Sequence, residues 1–330
     1  MHSNISIFVP HIGCSNQCSF CNQRYITGTS KAPTKEDIYD AVKTAVASEK
    51  YDRNNGQIAF FGGSFTAIER EYMVTLLSAA KNCIDKGYAE SIRISTRPDA
   101  IDDDVLKLLK KYGVKSIELG AQSMCDDVLK LNNRGHTAND VENASHLIKK
   151  HGFELGLQMM TGLYGDTEEK SLYTAECFVK LLADTVRIYP TIVLSDTYLA
   201  KLYEMGKYTP QTIDEAVILG ARLLRYFDEN NLRVIRFGLH SVDEKNLVAG
   251  PWHPSLAELC YSRIYFDKTV DMLKDAKCGK YTIYVGEKYI SQMNGNKKKN
   301  IVLLENMGYK CVVKTDKSLN KYDVKIIRED

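Results

Sequence analysis

Short apolar runs recur along the 330-residue chain at 5–9, 58–61, 92–95, 116–120, 155–160 and 186–194, each predicting a strand, with a further strand expected at 232–237. Between them, apolar positions fall at helical spacing. Ile38, Ala41, Val42, Ala45 and Val46 follow Thr34, a predicted N-cap with Asp37 three residues on, and Val105, Leu108, Leu109 and Tyr112 repeat the pattern. Helices are also expected near 70–86, 137–151, 167–182 and 210–229. Alternation of strand and helix implies a parallel sheet, and such sheets carry ligand chemistry in the loops that follow the C-terminal ends of the strands. Beyond Pro254 the pattern changes to one helix near 255–275 and then shorter elements. The expected organisation is therefore a β/α domain over 1–254 and a small α+β domain over 255–330.

Composition narrows the partners more than the fold. The chain has 44% hydrophobic and 26% charged residues, and 44 Lys and Arg stand against 42 Asp and Glu, a net charge of +2. No bulk field demands nucleic acid or an anionic surface. No apolar stretch reaches the length of about 18 residues that crosses a bilayer, and Met1 to Pro10 lacks a basic segment followed by an apolar core. A cytoplasmic protein without a membrane partner is expected. Its nine cysteines are an odd number, which suits reduced thiols better than a disulfide framework. Cys83, Cys125, Cys177, Cys260, Cys278 and Cys311 are scattered singly and read as small buried hydrophobes. The other three fall within eight residues.

Cys14-Ser-Asn-Gln-Cys18-Ser-Phe-Cys21 occupies the loop after the first strand, where three thiolates can converge. With His11 they could bind zinc, although no second paired ligand set is evident. They could also hold three irons of a 4Fe-4S cluster and leave the fourth open to an outside ligand, the reading their spacing favours over zinc. A non-catalytic zinc or iron-sulfur module is the reading from a different class, and it leaves the polar segments at the other strand ends unexplained.

The Cx3Cx2C spacing, with Phe20 before the last cysteine and the first strand before the loop, resembles the cluster loop of the radical S-adenosylmethionine (SAM) superfamily. The resemblance implies a partial, six-stranded parallel β/α barrel of radical SAM type with the small C-terminal domain. It implies a 4Fe-4S cluster on Cys14, Cys18 and Cys21 and SAM as the second cofactor, cleaved reductively to a 5′-deoxyadenosyl radical. An electron donor such as a flavodoxin or ferredoxin is the implied protein partner. By the same resemblance, Phe20 and the Gly62-Gly63-Ser64 turn after the second strand bind SAM, with Gln122 and Ser123 after the fourth, Arg134 as the partner of the methionine carboxylate, and Gln158 as the ribose contact.

Ser95-Thr96-Arg97-Pro98-Asp99, Asn133-Arg134-Gly135-His136-Thr137, Arg187-Ile188-Tyr189-Pro190-Thr191 and Val248-Ala249-Gly250-Pro251-Trp252-His253-Pro254 together resemble the radical SAM domain of the Elongator catalytic subunit and its short bacterial relatives, over about residues 5–255. Those proteins tend to carry a glutamate where Ser95 stands, so a carboxylate contact to the ribose is not carried over. About 75 residues after Pro254 do not accommodate an acetyltransferase domain of ordinary size. Length and architecture are similar to the queuine lyases of anaerobic gut bacteria, which implies C–N cleavage of a free 7-deazapurine base with release of 7-aminomethyl-7-deazaguanine for salvage. The alternative is an Elongator-like enzyme modifying a base in tRNA, with nucleic acid the less favoured partner.

A 7-deazapurine needs a carboxylate facing its N1–H and exocyclic amine, since a site with polar groups left unpaired rejects the wrong base. Asp99 and Asp196 are the candidates, Asp243 a lesser one, and Arg187, Tyr189, Arg236 and His240 lie near late strand ends where they could line the remainder. Lys297, Lys298 and Lys299 after Gly295 suggest an RNA-binding loop, but a GXXG clamp needs a glycine at Lys298, so the run reads as a solvated basic helix start.

Overall fold

The computed structural model describes residues 3–9, 14, 17–22, 31–239 and 243–329. Seven parallel strands form one curled sheet: β1 (Ser3–Val9), β2 (Gly56–Gly62), β3 (Ser91–Thr96), β4 (Val114–Gln122), β5 (Glu154–Thr161), β6 (Thr185–Pro190) and β8 (Arg233–Phe237) in that spatial order. The six strands expected become seven because β8 pairs with β6 and extends the open barrel. The run at 186–194 does not hold as one strand. It breaks after Pro190, whose ring removes a ladder donor, and resumes as β7 (Val193–Leu194), which pairs antiparallel with β9 (Leu247–Ala249).

The helices between strands are α1 (Lys35–Val46), α2 (Arg70–Asp85), α3 (Asp103–Lys111), α5 (Ala138–Lys150), α6 (Glu168–Lys180) and α8 (Ile213–Glu229), while α4 (Asp126–Leu131) and α7 (Tyr198–Glu204) were not signalled by periodicity because each is short. Capping sets where several begin. Thr34, Thr137 and Thr212 each accept from the backbone N–H three residues on, and Asp37, Asp140 and Glu215 return the bond to the cap's own N–H.

Register explains how one sheet serves two purposes. Ile58 and Phe60 stand beside Ile92 and Ile94, Ile94 beside Ile117, and Ile117 and Leu119 beside Leu155 and Leu157. These fully buried side chains share one face and pack with the helices in a single core. Because side chains alternate along a strand, the opposite face receives Arg93, Glu118, Gln158 and Arg187. Apolar faces outward against helices and polar faces inward is the arrangement that prepares a site.

Helix α9 (Leu256–Leu273) begins just after the expected domain boundary and serves both cores: Leu256, Cys260 and Ile264 join the barrel, and Tyr265 and Leu273 join the C-terminal core. That second core sits on a sheet of β10 (Gly279–Val285), flanked by β11 (Tyr309–Thr315) in parallel and β12 (Lys325–Arg328) antiparallel, with α10 (Ile290–Asn294) and α11 (Lys299–Asn306) between β10 and β11. Among the described residues, no helix is long and apolar enough to cross a membrane.

Gly220 lets α8 approach its neighbours closely, since a Cβ there would lie 2.4 Å from Phe237 Cζ and 2.7 Å from Cys260 Sγ. Gly220→Val should therefore overpack this junction and cost about 1–3 kcal/mol, read as a lower urea midpoint at unchanged slope. A midpoint equal to the parent's would show that the junction has room.

Candidate active site at the strand ends

The described part of the cysteine loop is anchored from outside itself. Ser19 N–H donates to Asn132 O (3.1 Å) and Ser19 Oγ to Asn132 Oδ1 (2.6 Å), while Ser19 O accepts from Leu199 N at the start of α7 (2.8 Å). Asn133 Nδ2 donates to Gln17 O (2.9 Å). Asn132, fully buried, also donates to Val128 O and Tyr164 O, tying α4 to the loop after β5. The two short elements that periodicity missed are thus the supports of the loop. Phe20 packs beside Val193, Leu199 and Tyr208 in a small separate core.

Cys18 Sγ accepts from Arg134 Nη1 at 2.9 Å, and Arg134 Nη2 donates to Gly120 O at 2.6 Å. The same guanidinium lies 6.0 Å from the centre of the Phe20 ring. One arginine therefore joins the cysteine loop, the end of β4 and the aromatic that precedes Cys21. Cys14 is exposed as a residue, yet desolvation of its sulfur and the neighbouring Cys18 push its thiol upward, against the Ser64 backbone N–H and the charges of Arg97 and Arg134, which pull it down. Such a thiol deprotonates on binding metal and releases its proton.

Among the described residues no three His, Cys, Asp or Glu side chains surround the position of a single metal ion. A cluster does not ask for such convergence, because each thiolate meets a different iron. His11 lies outside the described residues. Two buried polar atoms beside the cysteine loop have no partner in the protein, Arg134 Nε and Gln122 Oε1. An unpaired buried donor and acceptor at a strand end are what a polar ligand would satisfy. The residues therefore fit a cluster on Cys14, Cys18 and Cys21 with a polar ligand beside it.

Gly62 has φ +111°, and a Cβ there would stand 2.8 Å from Val9 O, so only glycine fits where β2 turns against β1. Gly63 N–H donates to Val9 O at 2.7 Å. Ser64 is turned inward: its hydroxyl meets Thr96 Oγ1 at 2.9 Å and accepts from Arg97 N at 3.2 Å. Gln122 has φ +69°, and its amide nitrogen lies over Gly120, where a Cβ would stand 3.0 Å from it. Ser123 is buried and accepts from Cys125 N at 3.2 Å, capping the turn into α4.

The polar face of the sheet centres on Glu118, which is 1% exposed. Its carboxylate accepts from Arg93 Nη1 (3.0 Å), Arg187 Nε (2.7 Å), Arg187 Nη2 (3.0 Å) and Gln158 Nε2 (2.9 Å). The amide nitrogen of Gln158, the residue expected at the SAM ribose, donates to this carboxylate. Arg93 also reaches Gln57 and Glu154. Burial opposes the charge of Arg187, but Glu118 and Tyr189 outweigh it and hold the guanidinium's pKa above its ordinary value. Arg187 also lies 5.3 Å from the centre of the Phe61 ring. Desolvation raises the Tyr189 phenol, against the lowering charge of Arg187, so the hydroxyl keeps its proton.

Arg187 and Tyr189 therefore meet, with the charge of Arg236 also felt at Tyr189. Arg236 itself donates to Gly238 O (3.0 Å) and Leu239 O (2.8 Å), steadying the loop after β8. Asp99 is held by Arg97 Nε at 2.5 Å, and Asp196 occupies an exposed turn before α7 with φ +58°. Asp243 caps the turn at 244–246. His240 lies outside the described residues. The sequence reading does not single out Glu118 and Arg93, although a signal exists: each is a charge flanked on both sides by apolar residues inside a strand, on paired strands.

Glu118→Gln should destabilise the cluster-free protein by about 3–5 kcal/mol, because two guanidiniums lose their buried counter-charge. Chemical denaturation of Glu118→Gln, Arg187→Met and the double variant would read this, with the double costing less than the sum of the singles. Strict additivity would sink the assignment of a shared cage.

His136 is 7% exposed, and burial, followed by the charge of Arg134, lowers its pKa from 6.5 to about 4. The unfolded chain then binds the extra proton between those values, so stability is unaffected above pH 6.5 and falls as pH drops from 6.5 toward 4, by up to about 3 kcal/mol. His136→Asn should flatten that acid limb in the cluster-free protein, and an unchanged limb would place the titration elsewhere.

Comparisons with known proteins bear on the family and the fold. Residues 8–177 match the profile of the radical SAM superfamily, just over half of the chain, and residues 183–265 match the radical SAM C-terminal domain. The tRNA uridine(34) acetyltransferase of Methanocaldococcus infernus is 27% identical over 184 residues, covering 49% of this chain and 34% of that protein. Elongator complex protein 3 of Schizosaccharomyces pombe is 26% identical over 254 residues, covering 68% of this chain and 46% of its own length. In fold, the chain is similar to the N-terminally truncated archaeal Elp3 of M. infernus, with a TM-score of 0.63 at 22% identity over 87% of this chain and 66% of that one. The chain spans between about a third and a half of the curated relatives named here.

Proposed function

We propose that this chain, which belongs to the radical SAM superfamily, directs its radical chemistry at a nucleobase within tRNA. It is a radical SAM enzyme whose cofactors are a 4Fe-4S cluster and SAM. The observation that carries the tRNA reading is the kinship with tRNA uridine(34) acetyltransferases and Elongator proteins, which favours a base in tRNA over the free queuine base. Cleavage of queuine finds no support among those relatives and becomes the competing arm of the test.

When bound, the cluster and SAM supply one-electron reductive cleavage of SAM. The protein's own residues bind and orient. Cys14, Cys18 and Cys21 would hold the cluster. Arg134, already between Cys18 Sγ and Gly120 O, places a fixed cation beside the loop, where a carboxylate could be met by a planar fork. Gly62 and Gly63 put no side chain on the same rim. Deeper in the barrel, Glu118 fixes Arg187, and Arg187 fixes Tyr189, giving a preorganised polar floor of one cation and one phenolic donor suited to the edge of a base.

The test is anaerobic reconstitution with iron and sulfide, then incubation with SAM and dithionite alone, with unfractionated tRNA, or with free queuine. Deoxyadenosine formation stimulated by tRNA, with a mass shift in a digested nucleoside, supports the proposal. Stimulation by queuine, with its aminomethyl base released, transfers the enzyme to the free-base reading and overturns the tRNA one. Cys18→Ser should lose iron binding and deoxyadenosine together; retention of both would remove Cys18 from the cluster.

A further inference from the structure

The C-terminal domain carries a feature that the barrel's chemistry does not use. Between 255 and 330 there are fifteen Lys and Arg against ten Asp and Glu, a net +5, whereas the preceding residues hold twenty-nine against thirty-two, a net −3. The near-neutral total therefore hides a basic module attached to an acidic one.

Its core is a βααβ unit: β10, α10, a turn, α11 and β11, with β10 and β11 parallel and Gly279 paired to Tyr309. The turn between the two helices is Gly295-Asn296-Lys297-Lys298, and Asn296 to Lys299 are all exposed. The sequence argued against a GXXG clamp because Lys298 replaces the second glycine. The backbone answers that objection, since Lys298 has φ +61° and Lys297 φ +51°, the left-handed region where glycine ordinarily sits. Two lysines held there cost conformational energy that a glycine would avoid.

The turn is rigidly seated. Buried Asn300 donates to Ser262 O, Ser262 Oγ and Met293 O at 3.0, 3.1 and 2.9 Å. Gly295, at φ +75°, could not carry a Cβ without meeting the Asn300 side chain at 3.0 Å. Beside the turn lies a groove of about 430 Å³, with Lys297 and Lys299 on its rim and Ile213, Leu259, Val302 and Leu303 among its walls. Val302 is 52% exposed. The groove's carboxylate is Asp214, which Lys299 Nζ meets at 3.5 Å.

We infer that this turn and groove form a docking surface for single-stranded RNA, with the backbone phosphates on Lys297 and Lys298 and bases against the apolar wall. Charge complementarity selects the occupant: a cationic, preorganised turn beside an apolar groove matches an unpaired strand, which offers phosphates and unstacked base faces together. The inference deepens the tRNA reading of the barrel, for which the module would supply affinity at a distance from the reacting base.

The experiment titrates the reconstituted full chain into a short labelled single-stranded oligoribonucleotide and its duplex, by fluorescence anisotropy over a range of salt. Removing both cations in Lys297→Ala/Lys298→Ala should weaken single-strand binding about tenfold and reduce the salt slope by about 1.4, while Lys298→Gly, which keeps the left-handed turn, should reduce the slope by about 0.7. Lys298→Gly carries the test if the double variant fails to fold by circular dichroism. No binding by the parent, an unchanged slope in folded variants, or a duplex bound as tightly as the single strand overturns the inference. RNA-free deoxyadenosine formation should be equal in all three proteins. Loop-dependent RNA binding without modification of tRNA would defeat the barrel's substrate reading alone; modification with loop-independent binding would defeat this inference alone.

Discussion

A carboxylate with almost no exposure, Glu118, sits at the middle of the sheet, and the organisation of the barrel's polar face depends on keeping it neutralised. Removing such a group from water costs several kcal/mol, recovered only when charges and hydrogen bonds surround it closely. Arg93 approaches from β3, Arg187 from β6 and Gln158 from β5, so four strands are cross-linked through one side chain. Gly156 makes the space: a Cβ there would lie 2.8 Å from Glu118 Cγ. The cage fixes strand spacing and at the same time fixes the direction of Arg187, and through it Tyr189. Architecture and site preparation are one arrangement here, since Arg187 has Glu118 as its carboxylate partner and Arg93 divides its guanidinium between Glu118 and Glu154.

The cysteine loop is governed by a different constraint. A loop after a strand has no ladder of its own, so its backbone groups must find partners elsewhere. Asn132, Asn133 and Leu199 provide them, from α4 with the turn that follows it and from the start of α7. Arg134 adds a charged link to Cys18 from the same turn. Substitutions at Asn132 would therefore act on the loop without touching a ligand, by releasing Ser19 and Tyr164 at once.

The strand and helix alternation was legible because each core strand carries buried apolar residues at alternate positions and each long helix a buried stripe, as in Ile38 and Val42 or Val105 and Leu109. The spacing of Cys14, Cys18 and Cys21 marks the loop after β1, which Asn132, Asn133 and Arg134 anchor. The break at Pro190 was not legible, because Thr191 to Leu194 is apolar enough to continue a strand and only the lost ladder donor stops it. Asp99 and Asp196 were proposed from chemistry without geometry; Arg97 holds the first, and a left-handed exposed turn carries the second. Short supports such as α4 lie below the length at which periodicity distinguishes a helix from a turn.

Charge distribution links the two modules. The barrel concentrates its buried charge in a closed cage, where Arg93 and Arg187 are already committed to Glu118 and Glu154 and have little field left for a polyanion. On the tRNA reading proposed above, a folded RNA would be attracted by exposed cations, because exposed cations and released counterions supply most nucleic-acid affinity. The C-terminal excess of +5 is where such cations lie. Helix α9, buried in both cores, makes the connection between the two modules one continuous packed element. On that reading, attraction and chemistry would be served by separate residues in two modules joined through α9.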